Sequence, residues 1–234
     1  MSRVRPMLWM VVAFAAAAAM ASASTVKEAN EFIDSLLGKY LRSEVETFRL
    51  NRVPVPNFNV TVPSNRITNR MFRAQFQHGE VLGLDRVFRR GDCLPTRWKA
   101  GNITLECILD LTTLYVSYSI VAQGHSLGNE IAYGHVIVDV ISATAKFEAQ
   151  SAPNRPPYIR TFVIRPPLML AVSRKSPGRR IELNEGRNFE FKRQVRIHAR
   201  RAIQNAIMSN YVGALGRVMV KYGDVLILPR VEAR

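Results

Sequence analysis

The stretch Ile103-Thr104-Leu105-Glu106-Cys107-Ile108-Leu109-Asp110-Leu111-Thr112-Thr113-Leu114-Tyr115-Val116-Ser117-Tyr118-Ser119-Ile120-Val121-Ala122 alternates apolar and polar residues for far longer than an ordinary strand. Ile103, Leu105, Cys107, Leu109 and Leu111 share one face. Leu114, Val116, Tyr118 and Ile120 then take over after a slip of one position, which predicts a bulge near Thr112-Thr113. A second long strand is expected from Ile131 to Ala149, after a turn through Gly124 and Gly128. A third spans Tyr158 to Ser173, and Pro166-Pro167 suits it to an edge or a bend. Upstream, Phe72, Ala74 and Phe76 alternate, and Val81 to Phe88 continues as strand. Pro54, Pro56 and Pro63 make the preceding stretch extended or irregular.

The period changes to that of a helix at both ends. Val26, Ala29, Ile33, Leu36, Leu37, Tyr40 and Leu41, with Phe32 beside them, predict an amphipathic helix over residues 25–43, opened by the capping box Thr25-Val26-Lys27-Glu28. After a turn through Ser176-Pro177-Gly178 and a short strand at Ile181–Leu183, Val195, Ala199, Ala202, Ile203, Ala206, Ile207, Tyr211, Leu215, Val218, Met219 and Tyr222 form a seam on a helix from Asn188 to Lys221. Such a helix is roughly 50 Å long at its ordinary rise. It lacks the strict heptad and paired charges of a coiled coil, so packing along a long curved sheet explains the seam better. Strands this long must twist strongly. The expected fold is α+β: a long C-terminal helix and a shorter N-terminal one, wrapped by a strongly curved antiparallel sheet, a half-barrel with an elongated apolar tunnel.

The chain has 234 residues, 47% of them apolar, and a formal charge of +15. That composition excludes wholesale disorder and a disulfide-dense miniprotein, and the charge favours anionic partners. Arg3 and Arg5 precede an apolar run, Met7 to Met20, that closes on Ala21-Ser22-Ala23. Residues 1–23 read as a secretory signal, with a retained signal anchor as the alternative. Residues 24–234 then form one domain of charge +13 with no transmembrane segment. In an oxidising compartment Cys93 and Cys107 are expected to pair, two free buried thiols being the alternative. Asn59-Val60-Thr61 and Asn102-Ile103-Thr104 are sequons that fit glycosylated surface loops.

The order of these elements, with Gly79-Glu80-Val81-Leu82-Gly83-Leu84-Asp85-Arg86-Val87 and Leu111 to Tyr118, resembles the arthropod relatives of the group 7 mite allergens. These are single-domain members of the tubular lipid-binding superfamily, which also holds bactericidal/permeability-increasing protein and the insect juvenile-hormone-binding and takeout proteins. Gly91-Asp92-Cys93 with Cys107 looks like the secreted tick proteins of this type. The resemblance implies a long helix wrapped by a curved sheet, with a tunnel for a lipid or other apolar ligand. The chain departs from the juvenile-hormone-binding pattern in lacking an N-terminal cysteine pair. Its Cys93–Cys107 loop is also shorter than the span in the bactericidal proteins.

Phe32, Ile33, Leu36, Leu37 and Tyr40, facing Val195, Ile203, Ile207, Tyr211 and Leu215, either line a ligand cavity or form a filled core. Arg174, Lys175, Arg179, Arg180 and Arg187 surround the turn before the last helix. Lys192, Arg193, Arg196 and Arg200 then occupy an arc of about 100° beside the apolar seam. This patch is either a solvated face or a contact for anionic lipid, lipopolysaccharide or glycosaminoglycan. Nucleic acid is disfavoured because no interleaved aromatic and basic reading motif is present. Gly124-His125-Ser126-Leu127-Gly128 matches the nucleophile elbow of esterases, but the residues after it are β-branched and aromatic rather than helical, so a hairpin turn is expected. His78, His125, His135 and His198 lack metal-ligand spacing, no phosphate cradle is present, and no cofactor is expected.

Overall fold

The computed structural model describes residues 26–64, 70–125, 130–152, 155–175 and 181–228. The signal-like segment, Thr25, Ser126, Arg179 and Arg180 lie outside them. Helix α1 covers residues 26–43 and is wound as a π-helix over Leu36–Leu41. Helix α2 runs without a break through Glu185–Asn205, a π-helical segment Ala206–Tyr211, and Val212–Lys221. It starts three residues earlier than its apolar period suggests, because the Asn184 side chain accepts from the Arg187 N–H and caps it.

The strands are β1 Val53–Val55, β2 Phe58–Val62, β3 Phe72–Leu82, β4 Phe88–Arg89, β5 Leu94–Lys99, β6 Asn102–Asp110, β7 Tyr115–Gln123, β8 Ala132–Ser151 and β9 Tyr158–Lys175. All belong to one antiparallel sheet. Among the described residues β9 pairs only with β8, which makes it the edge strand that Pro166-Pro167 predicts. Several expectations need correction. The strand expected from Val81 to Phe88 is broken by a 3-10 turn at Leu84–Arg86 between β3 and β4. The proline-interrupted stretch forms β1 and β2, both on the outer edge of β3, where the missing N–H of Pro54 is tolerated. Ile181–Leu183 makes no ladder. Asn59 stands exposed on a strand rather than in a loop.

The break at Thr112-Thr113 is a turn, not a bulge against the neighbouring strand. Ile103 to Asp110 pair with Ser151 to Thr144, and Tyr115 to Ala122 pair with Asp139 to Ala132, in one unbroken alignment. Bonds from Leu111 N–H to Ala143 O (3.1 Å) and from Val140 N–H to Leu114 O (3.0 Å) carry it across the gap. Asp110 holds the turn by accepting from the Thr112 backbone and hydroxyl. The alignment survives because β8 slips at the same place, its buried face passing from Val140 to Ala143. The register shifts fall instead between β8 and β9, at Val140/Ser142 and Ser142/Thr144. The long strands therefore bend together along one line and keep a single inner face.

Glycines in the motif before β4 are explained by close approach. A Cβ on Gly79 would sit 2.1 Å from the Tyr118 ring, and Gly83, at φ +90°, abuts the Thr113 carbonyl.

Helix α2 fills the hollow of the sheet. On one side Gln194 Nε2 donates to Thr61 O of β2 (3.0 Å). On the other Arg196 Nε and Arg200 Nη2 donate to Leu170 O and Leu168 O of β9, both at 3.2 Å. The β2 and β9 edges of the sheet thus come round to the same helix and are fastened to it by side chains. Helix α1 packs on the C-terminal half of α2, with Tyr40 and Tyr222 rings 4.7 Å apart. It is tied to the β4–β5 segment through Asn30 and Asp34, which hold Cys93 N, Asp92 and Arg89. Cys93 and Cys107 form the expected disulfide.

Candidate functional site: an apolar seam with a basic end

The inner stripe of α2 follows from its sequence period. Phe191, Val195, Ala199, Ile203, Ile207, Leu215 and Val218 have no exposed surface, and Tyr211 joins them. Ile33 and Leu36 of α1 are equally buried, Phe32 and Leu37 nearly so, and Tyr40 is half-buried against them. All ten seam residues singled out from the sequence therefore lie in or against one continuous apolar core. Two polar atoms interrupt it. The Tyr211 hydroxyl is buried without a hydrogen-bond partner, beside Phe162 at 6.1 Å, and burial pushes its ionisation far above the ordinary tyrosine range. The other is Nε of Arg187, at the far end.

That end is aromatic. Phe58 stacks between Phe76 (4.3 Å) and His198 (4.2 Å), and the Tyr118 ring meets both phenylalanines edge-on at 5.1 and 5.8 Å. Phe191 extends the cluster to Phe76 (6.0 Å) and Phe72 (5.7 Å). Burial raises the Tyr118 phenol to about 12 and, with Arg201 nearby, lowers the His198 imidazole. The cluster draws on β2, β3, β7 and α2, so no single window of sequence displays it. The alternation of Phe72, Ala74 and Phe76 gave a face but not its partners.

Two arginines roof the cluster. The Arg174 guanidinium lies 5.2 Å from the Phe191 ring, and Arg187 lies 6.0 Å from that of Phe72. Arg187 is only 3% exposed. Its Nη2 donates to the carbonyls of Arg70 and Gly124, both at 3.2 Å, and desolvation lowers the guanidinium from its ordinary value. Outside the roof, Val172, Ser173, Arg174, Lys175, Ile181, Glu182, Leu183 and Lys192 line an open cleft of about 830 Å³.

The basic stripe read along α2 divides by function in the fold. Arg196 and Arg200 hold the β9 edge. Arg193 makes a two-pronged pair with Glu190 at 2.8 Å, which holds that carboxyl down to about 2. Lys192 turns into the cleft, and Arg187 is interior. The apolar Phe189 and Ile197 stand exposed among them.

The elbow-like motif has a different explanation. Gly124 is required there twice over, by its φ of +82° and because a Cβ would meet the Met71 carbonyl at 2.2 Å. The next element is strand β8, antiparallel to β7, so the strand-to-helix turn that exposes a nucleophile is not formed. Asn102, the second sequon, is half-buried, and its side-chain nitrogen donates to Ala100 O (3.3 Å). Among the described residues no group of three metal-ligating side chains gathers, and no helix is long and apolar enough to cross a membrane.

No family model matches the chain. Over 152 residues it is 29% identical to the salivary anticoagulant protein P23 of Ixodes scapularis, covering 63% of this chain and 68% of the relative. The chain is a homologue of a tick salivary protein. Among solved structures it is similar to Takeout 1 of Epiphyas postvittana, with a TM-score of 0.33, 9% identity, and 80% and 89% of the two chains covered. It is also similar to lipopolysaccharide binding protein, with a TM-score of 0.40, 13% identity, and 79% of this chain covered but 40% of that one. The expected likeness to tick proteins and the expected sheet-around-helix architecture both hold.

Proposed function

We propose that this protein is a secreted, non-enzymatic carrier of a lipid or other apolar small molecule, held between α2 and the curved sheet. The observation that carries the reading is how the sheet closes. Its β2 and β9 edges meet α2 through side-chain hydrogen bonds, from Gln194, Arg196 and Arg200 to carbonyls and from Arg174 to Asn188, rather than through a backbone ladder. Such contacts are individually weak, about 1 kcal/mol each. The helix can part from an edge and admit an apolar chain while the sheet stays intact. Within the seam, affinity comes from burying methylenes at about 0.8 kcal/mol each. Residues 1–23 serve as the export signal of a single domain, and Asn59 is the more accessible of the two glycan acceptors. Purified protein is expected to take up a fluorescent fatty acid saturably and to release it to unlabelled lipid. Absence of displaceable uptake would overturn the reading.

A second activity is proposed for the cleft, where Arg174, Lys175 and Lys192 face a single acid, Glu182. Beside it stand Phe189 and Ile197, exposed on a basic helix. The surface suits an anionic lipid or a sulfated glycan, a fitting chemistry for a homologue of a salivary anticoagulant. Retention on heparin should fall steeply with salt, and Lys175→Glu with Lys192→Glu should weaken it. Retention indifferent to salt and to both substitutions would dismiss this second activity.

A further inference from the structure

The corner where β3 begins, β7 ends and α2 takes its first turn holds a charge that no carboxylate among the described residues answers. Arg187 is buried there, and its Nε has no hydrogen-bond partner. Among the described residues no carboxylate pairs with it. Of the two acids nearest in sequence on the helix, Glu185 makes no ion pair with it and Glu190 is committed to Arg193 and Gln194. The carbonyls of Arg70 and Gly124 occupy only Nη2. A second polar atom, His125 Nδ1, is likewise buried and unpartnered one residue beyond Gly124. If Arg187 served merely to strap the ends of β3 and β7 together, a neutral donor would suffice, without the desolvation of a full charge. The positive field is reinforced by Arg174 over the Phe191 ring and by the amino end of a long helix. Immediately inside lies apolar surface, Phe72 and then Phe191 and Phe76.

We infer that this corner is the headgroup site for a fatty-acid anion. The carboxylate accepts from Nε of Arg187, whose Nη2 stays with the two carbonyls, and the acyl chain runs inward past Phe72 and Phe191 along the seam. One guanidinium with an unpartnered Nε matches one monoanion, so the site selects a carboxylate over a neutral alcohol of the same length. The inference rests on the carrier reading and narrows its cargo.

The test compares oleate with oleyl alcohol at mildly alkaline pH, each displacing the same neutral fluorescent lipid from the full mature chain. Oleate is expected to bind at least about tenfold more tightly, in keeping with a charge-assisted bond in a desolvated site. Arg187→Met should collapse the ratio of oleate to oleyl alcohol affinity toward one. Arg187→Lys, which keeps the charge should the methionine variant not fold, should retain part of that preference. Equal affinity of the two ligands for the native protein would overturn the headgroup site and leave the carrier standing. Failure to bind either would overturn both.

Discussion

In the half of the sheet built from β4, β5, β6 and the second half of β8, charges meet charges. Lys146 bridges Glu106 (2.8 Å) and Glu148, Arg160 joins Glu148 at 3.0 Å, and Arg89 sits between Asp34 and Asp92. Glu44 accepts from Lys221 and Tyr222 where the two helices end. The disulfide lies in the same half. In the half built from β1, β2, β3 and β7, Arg52 pairs with Glu80 and Arg193 with Glu190, but other cations are spent on backbone carbonyls and aromatic faces, and among the described residues no acid pairs with Arg187. One half satisfies itself electrostatically and is stapled; the other keeps its excess positive charge over an apolar interior. Such an imbalance costs stability and is retained where a ligand completes it. Under the proposed carrier reading, binding falls at the aromatic end and structural support at the other.

The largest effect that would sharpen this contrast is expected from Phe191→Ala. The side chain has no exposed surface and touches Phe72, Phe76 and Arg174, so truncation should lower stability by about 3–5 kcal/mol in chemical denaturation. If a carried chain lies along these rings, saturating lipid should recover part of that loss in the variant. A loss below about 1 kcal/mol would mean that the aromatic end is loosely packed and the cluster contributes little to the fold.

Next comes the paired substitution Cys93→Ser with Cys107→Ser. Opening a loop of sequence separation 14 should cost about 3 kcal/mol and leave ligand affinity unchanged, because the staple sits in the supporting half. A fall in lipid affinity matching the fall in stability would break the division between the halves.

Legibility from sequence follows the same division. The long strands, their bend and both helices were readable, because the inner face repeats at every second residue in β6, β7 and β8 and every three or four in α2. The short edge strands β1 and β2 were not, since Pro54 and Pro56 mask a pairing that exists only against β3. The basic stripe was legible as a helix face. What each arginine does was not, because the acceptors of Arg196 and Arg200 are carbonyls of β9, which the helical period does not reveal. Arg187 looked like one more surface cation. Only the approach of Arg70 and Gly124, from strands far away in sequence, makes it interior.

The smallest effect concerns Glu44 and separates the halves by pH. Hydrogen bonds from Lys221 and Tyr222 hold its carboxyl below the ordinary glutamate value of 4.5. A carboxyl whose folded value is depressed stabilises the fold above its unfolded value, and that contribution disappears as pH falls through the lower, folded one. Glu44→Gln should therefore be less stable than the native chain at neutral pH, with the gap closing as denaturation midpoints are followed into the acid range below 4.5. Substituting Arg187 should give a stability difference that is flat across that same window, because a guanidinium stays charged throughout. A pH-independent gap for Glu44→Gln would show that the carboxylate's charge is not what ties α1 to α2. The support half would then owe its stability to packing and the disulfide alone.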